Sequence, residues 1–169
     1  MSEAAGQTSF RALYETALED VYGYLLHRCG DVAIAEDLTS ETFLAAAAAV
    51  RSGRSDSLSV AWLIGVARHK LVDHWRRTAR HERGLRSLGG DDDREDPWPQ
   101  HLDLLAARAA LGRIGPHHRA ALTFRYIDDL PVRDVARLLR RTDQATEALL
   151  ARARAAFRRA YERGGDDAD

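Results

Sequence analysis

Residues 140–159 read RRTDQATEALLARARAAFRR. A turn-forming RRTD runs into an Arg-rich pattern in which Thr146, Leu150, Ala153 and Phe157 recur at steps of four, three and four. That spacing makes one face of an α-helix. Just upstream, Val132, Val135, Ala136 and Leu139 form an apolar face of their own. A short helix, a tight break and a longer helix compose a helix-turn-helix, whose second helix presents its N-terminal residues to base edges. Thr142 and Asp143 are both candidates for the N-cap. Between 132 and 163, nine Arg stand against Asp134, Asp143, Glu147 and Glu162, a local net charge of +5 that suits phosphate contact. Against this, Glu147 and the Leu149–Leu150 pair occupy places where such a helix usually carries donors. A solvated amphipathic helix with Arg on its outer side has the same spacing.

That segment lies near the end of a chain of 169 residues. Apolar residues make up 45% and charged residues 30%, the balance of a folding, soluble protein. The net charge of −1 gives no global sign of a nucleic-acid partner, so local segregation of charge decides. A single cysteine, Cys29, excludes an intrachain disulfide and a Cys-rich zinc site, and reads as a small buried residue of a helix. No apolar run reaches the length of a membrane span, and MSEAAGQTSF lacks a signal-peptide pattern, which points to the cytoplasm. Lysine occurs once, at Lys70, and with abundant Arg and Ala this points to a high-GC bacterial genome.

Nothing reads as strand. Phe10, Leu13, Ala17, Val21 and Tyr24 set a helix over 9–28. Asp31 can cap a second over 33–50, RSGRSDS breaks the pattern, and a third covers 58–80. Helices resume at 101–113, at 116–127 with Pro116 in the first turn, and beyond the IDDLP turn. Between them GLRSLGGDDDREDPWPQ holds paired glycines, two prolines and an acidic run. Such a composition cannot bury enough apolar surface to order itself. The expected architecture is all-α: a helical domain at 1–80, a flexible acidic linker at 81–100, and a second helical domain at 101–165 ending in a frayed tail at Gly164–Gly165 and DDAD.

Two further clusters lie in the N-terminal domain. In 68–86, seven basic residues (Arg68, Lys70, Arg76, Arg77, Arg80, Arg83, Arg86) face Asp73 and Glu82, with Trp62 and Trp75 in the same helix. Basic residues interleaved with aromatics suit a single strand, whose bases stack on rings while phosphates meet Arg. Trp62, beside Leu63 and Val66, reads equally as core, whereas Trp75, among His74, Arg76 and Arg77, reads as exposed. In the second helix Ile34, Leu38 and Ala45 share a face, Glu36, Ser40 and Phe43 lie roughly opposite, and Asp37 and Glu41 sit between. An acidic face with a Phe fits docking onto a basic partner; the plain alternative packs Phe43 on a neighbouring helix. Catalysis finds no support. His117–His118 lacks partners at metal spacing, His69 and His74 have no nearby nucleophile, Asp128–Asp129 reads as a turn cap, and no Gly-rich phosphate loop occurs. No cofactor or metal is expected.

Taken together, AEDLTSETFL (35–44), AWLIGVARHKLVDHWRR (61–77) and the stretch from LDLLAARAAL to the C terminus resemble, in order, the extracytoplasmic-function sigma factors of the sigma-70 family. The resemblance implies a sigma-2-like bundle and a sigma-4-like helix-turn-helix domain around the linker. It implies a transcription initiation factor, not an enzyme, that brings core RNA polymerase to promoter DNA and assists melting. Glu36, Asp37, Ser40, Glu41 and Phe43 would contact core polymerase. The loop from Arg51 to Ser59, with Arg54, would form the pocket for a flipped −10 base, and Trp62, Arg68, His69, Lys70, His74, Trp75, Arg76 and Arg77 would meet −10 DNA. Arg141, Thr142, Gln144, Ala145, Glu147, Ala148, Arg152 and Arg154 would meet the −35 element. The acidic linker would thread the polymerase near the RNA path. Family members are often held inactive by an anti-sigma protein, so one is implied here.

Departures from the family pattern qualify these roles. Ser40 stands where Gln is common, and Arg140 stands where many members have Gly in the turn, implying a turn of non-Gly geometry. Ala145, Thr146, Glu147, Ala148 and Leu149 replace a Thr-Val-Lys-Ser-Arg type of opening. Glu can accept from a cytosine amino group and Ala can touch a thymine methyl, so a different −35 sequence is implied. A sigma-like decoy or adaptor without promoter recognition is the alternative. A dimeric helix-turn-helix repressor would leave AEDLTSETFL unexplained, and a small helical enzyme has no constellation behind it.

Overall fold

The computed structural model describes residues 2–54, 58–83 and 103–166, with the side chains of 10–54, 58–81 and 103–164. All regular elements among the described residues are helical: α1 (Ser2–Cys29), α2 (Val32–Arg51), α3 (Val60–Arg83), α4 (Leu104–Arg113), α5 (Pro116–Leu122), α6 (Val132–Leu139) and α7 (Asp143–Asp166). A wider π turn, Thr123–Ile127, extends α5. The chain divides into two compact units, Met1–Asp73 and His74–Asp169, so α3 contributes its first part to one and its last turns to the other. Helix α3 runs to Arg83, into the segment expected as linker; residues 84–102, which carry the rest of it, lie outside the described residues.

In the first unit, α1 and α2 form an antiparallel hairpin. Gly30 takes a positive φ of 70° and its N–H closes on the Leu26 carbonyl at 2.9 Å, ending α1 in the left-handed geometry that glycine adopts without a steric cost. Asp31 follows as the N-cap of α2, its carboxylate accepting from the Ile34 N–H at 3.0 Å. The core is drawn from Ala17, Val21 and Leu25 of α1, from Ala35, Leu38, Ala46 and Ala49 of α2, and from Leu63, Ala67 and Leu71 of α3. Thr39 and Thr42 enter this core because their hydroxyls donate to the carbonyls four residues back, both at 2.7 Å. The buried face of α2 is thus centred on Ala35, Leu38, Thr42 and Ala46, one residue round from the expected Ile34–Leu38–Ala45 face.

In the second unit α7 is the central helix, with α4, α5 and α6 packed on it. Asp103 caps α4 by accepting from the Leu105 N–H at 2.8 Å, and its own N–H donates to the Tyr161 hydroxyl at 3.0 Å. At the other end of α4, Arg119 donates to the carbonyls of Leu111 at 2.8 Å and Gly112 at 2.6 Å, satisfying groups that the helix leaves open. The core gathers Phe124, Val135, Ala136, Leu139, Leu149, Leu150, Ala153, Phe157 and Ala160. In the π turn the Asp128 N–H reaches the Thr123 carbonyl at 3.0 Å, five residues back. The helix does not fray at Gly164–Gly165 as the sequence suggested; α7 continues through both to Asp166.

Candidate nucleic-acid interface and partner surface

The helix-turn-helix is built from a turn with an unusual occupant. Arg140 sits at φ 53°, ψ 51°, the left-handed region, at the end of α6. The Arg141 N–H donates to the Ala136 carbonyl at 2.9 Å and the Arg140 N–H to Arg137 at 3.2 Å, the paired bonds of a Schellman ending. The turn therefore keeps the geometry that favours glycine, which corrects the expectation of a different backbone. A non-glycine residue there carries a cost of about 1–2 kcal/mol. Thr142 settles the N-cap: its Oγ1 accepts from the Ala145 N–H at 3.1 Å, and its carbonyl accepts from the Thr146 hydroxyl at 2.9 Å. Thr142 is thus engaged in starting α7, and Asp143 is the first helical residue.

This start fixes which residues of α7 face outward. Thr146, Leu149, Leu150, Ala153 and Phe157 are buried. Arg141, Gln144, Glu147, Ala148 and Arg152 are exposed and Ala145 is half-buried. The Leu149–Leu150 pair, which looked out of place on a reading helix, is core, whereas Glu147 and Ala148 lie on the outer face. Arg154 is half-buried on the flank of that face, where its Nη1 donates to the Tyr126 hydroxyl at 3.1 Å. Tyr126 could not be anticipated, because the π turn rotates it relative to a regular helix.

The basic cluster of α3 is less uniform than its sequence. His69 and Arg77 are exposed, and Trp62, Arg68, Lys70, His74 and Arg76 are half-buried. The Arg68 guanidinium lies 5.9 Å from the Tyr24 ring centroid. Trp75, expected as an exposed stacking platform, is only 2% exposed and packs on Phe124 with ring centroids 5.8 Å apart. The physical reason is that a Trp buries more apolar area than its polar neighbours can offset, and the indole lies on the face that His74, Arg76 and Arg77 leave inward. Arg76 donates to the Leu138 carbonyl at 2.9 Å, just before the turn of the helix-turn-helix. Arg54 is exposed and bonded through Nε to the Ser52 hydroxyl at 3.1 Å; residues 55–57 of its loop lie outside the described residues.

On α2, Glu36, Asp37 and Ser40 are exposed along one stripe and Glu41 is half-buried on its flank. Phe43 is not part of that stripe. It is 6% exposed and meets Tyr14 of α1 edge-on at 4.8 Å, which corrects its assignment as a docking residue. Leu44, 67% exposed, stands on the stripe instead. Its spacing of four from Ser40 and seven from Asp37 is the signal that would have found it. Glu41 and Lys70, placed by the resemblance on different surfaces, pair with each other at 3.2 Å. Cys29 is half-buried, its thiol donating to the Asp31 carbonyl at 3.4 Å, and burial pushes its pKa above the usual thiol value. No helix among the described residues is long and apolar enough to cross a membrane.

Family models match two successive helical parts of the chain. Residues 13–81 match the model of sigma-70 region 2 and residues 104–157 that of sigma-70 region 4. The chain is 30% identical over 162 residues to the ECF RNA polymerase sigma factor BldN of Streptomyces coelicolor, covering 90% of this chain and 60% of that one. It is 33% identical over 128 residues to ECF sigma factor SigL of Mycobacterium tuberculosis, covering 73% of this chain and 72% of SigL. Identity to SigM of Bacillus subtilis is 26%, across 92% of this chain and 96% of SigM. The fold is that of the sigma factor RpoE of Bartonella quintana, solved in complex with the anti-sigma factor NepR, with a TM-score of 0.55 at 19% identity over 90% of this chain and 96% of that one. Its two helical blocks, the order in which they occur and these relatives place the chain in the extracytoplasmic-function sigma factors of the sigma-70 family.

Proposed function

We infer that this protein, a sigma factor that directs RNA polymerase to promoters, does so through three surfaces, on α2, α3 and α7. The exposed stripe of α2 (Glu36, Asp37, Ser40 and Leu44) docks on a basic, partly apolar surface of core polymerase. His69, Lys70 and Arg77 of α3, with Arg68 and Arg76 beside them, meet the −10 strand. The outer face of α7 meets the −35 duplex, with Gln144, Ala145, Glu147 and Ala148 toward bases and Arg141, Arg152 and Arg154 toward phosphates. The protein performs no chemistry itself, acts where the polymerase is, in the cytoplasm, and is held in check by an anti-sigma protein, the kind of partner with which RpoE was solved in complex.

The observation that carries the −35 assignment is the outward set of α7 residues fixed by the Thr142 cap and the buried Leu149–Leu150 pair. It also weakens the adaptor alternative, since of Glu147 and Leu149, the two residues that favour it, only Glu147 lies on that face. The test is reconstitution. Purified protein with core polymerase should start transcripts from a cognate promoter, while the free protein binds duplex DNA weakly. A chain that fails to bind core polymerase removes the proposal; a chain that binds core and selects no promoter favours the adaptor.

A further inference from the structure

Two surfaces of opposite charge share one ion pair. Glu41 flanks the acidic stripe of α2, and Lys70 flanks the basic face of α3. Their side chains meet at 3.2 Å, with 32% of the Lys70 side chain and 39% of the Glu41 side chain exposed. Lys70 is the only lysine of the chain. Its ammonium is a compact charge on a long stem, able to turn from a carboxylate to a phosphate by rotating a few bonds. Held to Glu41, the ammonium is partly neutralised toward any phosphate. Held to Lys70, the carboxylate is partly neutralised toward any basic partner. The two occupations exclude each other at both ends.

We propose that the Glu41–Lys70 pair is a latch linking the two surfaces: a basic partner that takes Glu41 releases Lys70 to the DNA backbone, and a phosphate that takes Lys70 releases Glu41 to the partner. The proposal rests on the assignment of α2 to core polymerase and α3 to DNA. It differs from a plain stabilising bridge in sign. A bridge that only braces α2 against α3 weakens both functions when broken. A latch strengthens one function each time the opposite member is removed, and linkage requires the coupling to be reciprocal.

An exposed or half-exposed pair is worth little, so the effects are modest: about two- to five-fold in affinity. The full-length protein is used throughout, with circular dichroism melts to confirm folding. Glu41→Gln should bind a labelled single-stranded oligothymidylate about two- to five-fold more tightly than wild type, since backbone contact is independent of sequence. Lys70→Met, which keeps the apolar stem, should bind the oligonucleotide more weakly yet bind core polymerase about two- to five-fold more tightly. In the Lys70→Met background, Glu41→Gln should leave oligonucleotide affinity unchanged. If wild type binds core while Lys70→Met binds it equally or less well, or if Glu41→Gln does not tighten the oligonucleotide, the latch is overturned and the family function stands. If wild type does not bind core at all, the underlying assignment falls and the latch with it.

Discussion

Arg140 illustrates how much a single backbone angle decides. It holds a left-handed conformation at the one turn that aims α7, where glycine would bear no penalty. Arg140→Gly should therefore raise stability by about 1 kcal/mol, read as a shift in denaturant midpoint with an unchanged slope; a loss of stability would mean that the Arg side chain does more than occupy the turn. Trp75 makes the opposite case. Nearly all of its ring lies against Phe124 and the surrounding core, so Trp75→Ala should cost about 3–5 kcal/mol. A surface-like cost below about 0.5 kcal/mol would return the indole to the list of stacking residues. The burial of Cys29 favours its neutral thiol, and the shift is upward, so the thiolate fraction near neutral pH is below that of a free cysteine. Disulfide-exchange reagents at pH 7 should label it more slowly than free cysteine, and faster labelling would contradict the burial of the thiol.

At the scale of the element, α2 separates its duties by angle. One flank carries Phe43 into Tyr14, the opposite flank carries Glu41 to Lys70, and the stripe between holds Glu36, Asp37, Ser40 and Leu44. Asp37→Arg and Leu44→Ala should each weaken core binding while leaving the thermal midpoint nearly unchanged, since neither side chain is buried. Phe43→Ala should do the reverse, costing about 3 kcal/mol or more of stability through the cavity it leaves. If Phe43→Ala folds as wild type does and loses core binding, the Phe is a docking residue after all. The sequence spacing had put Phe43 on the acidic face because it sits just past the edge of the buried arc. What covers that edge is Tyr14, which no local pattern in α2 could reveal, since it lies on α1.

For the whole molecule, the helical class, the break after residue 30, the Asp31 cap, the Pro116 start and the apolar faces of α6 and α7 were all legible, because each rests on residues within a few positions of one another. What was not legible depends on distant neighbours: the burial of Trp75 by Phe124, the hold of Tyr126 on Arg154, and the pairing of Glu41 with Lys70. The π turn adds a register shift that propensity does not encode, and the left-handed Arg140 pays for its angle through the packing of the helices it joins. Promoter choice is proposed to rest on α7, with Glu147 among its base-reading residues. Genome-wide run-off transcription with core polymerase, comparing wild type with Glu147→Lys, tests it most directly. The variant should use a different set of promoters, distinguished by bases in the −35 element. The same promoters, all used equally less, would contradict it.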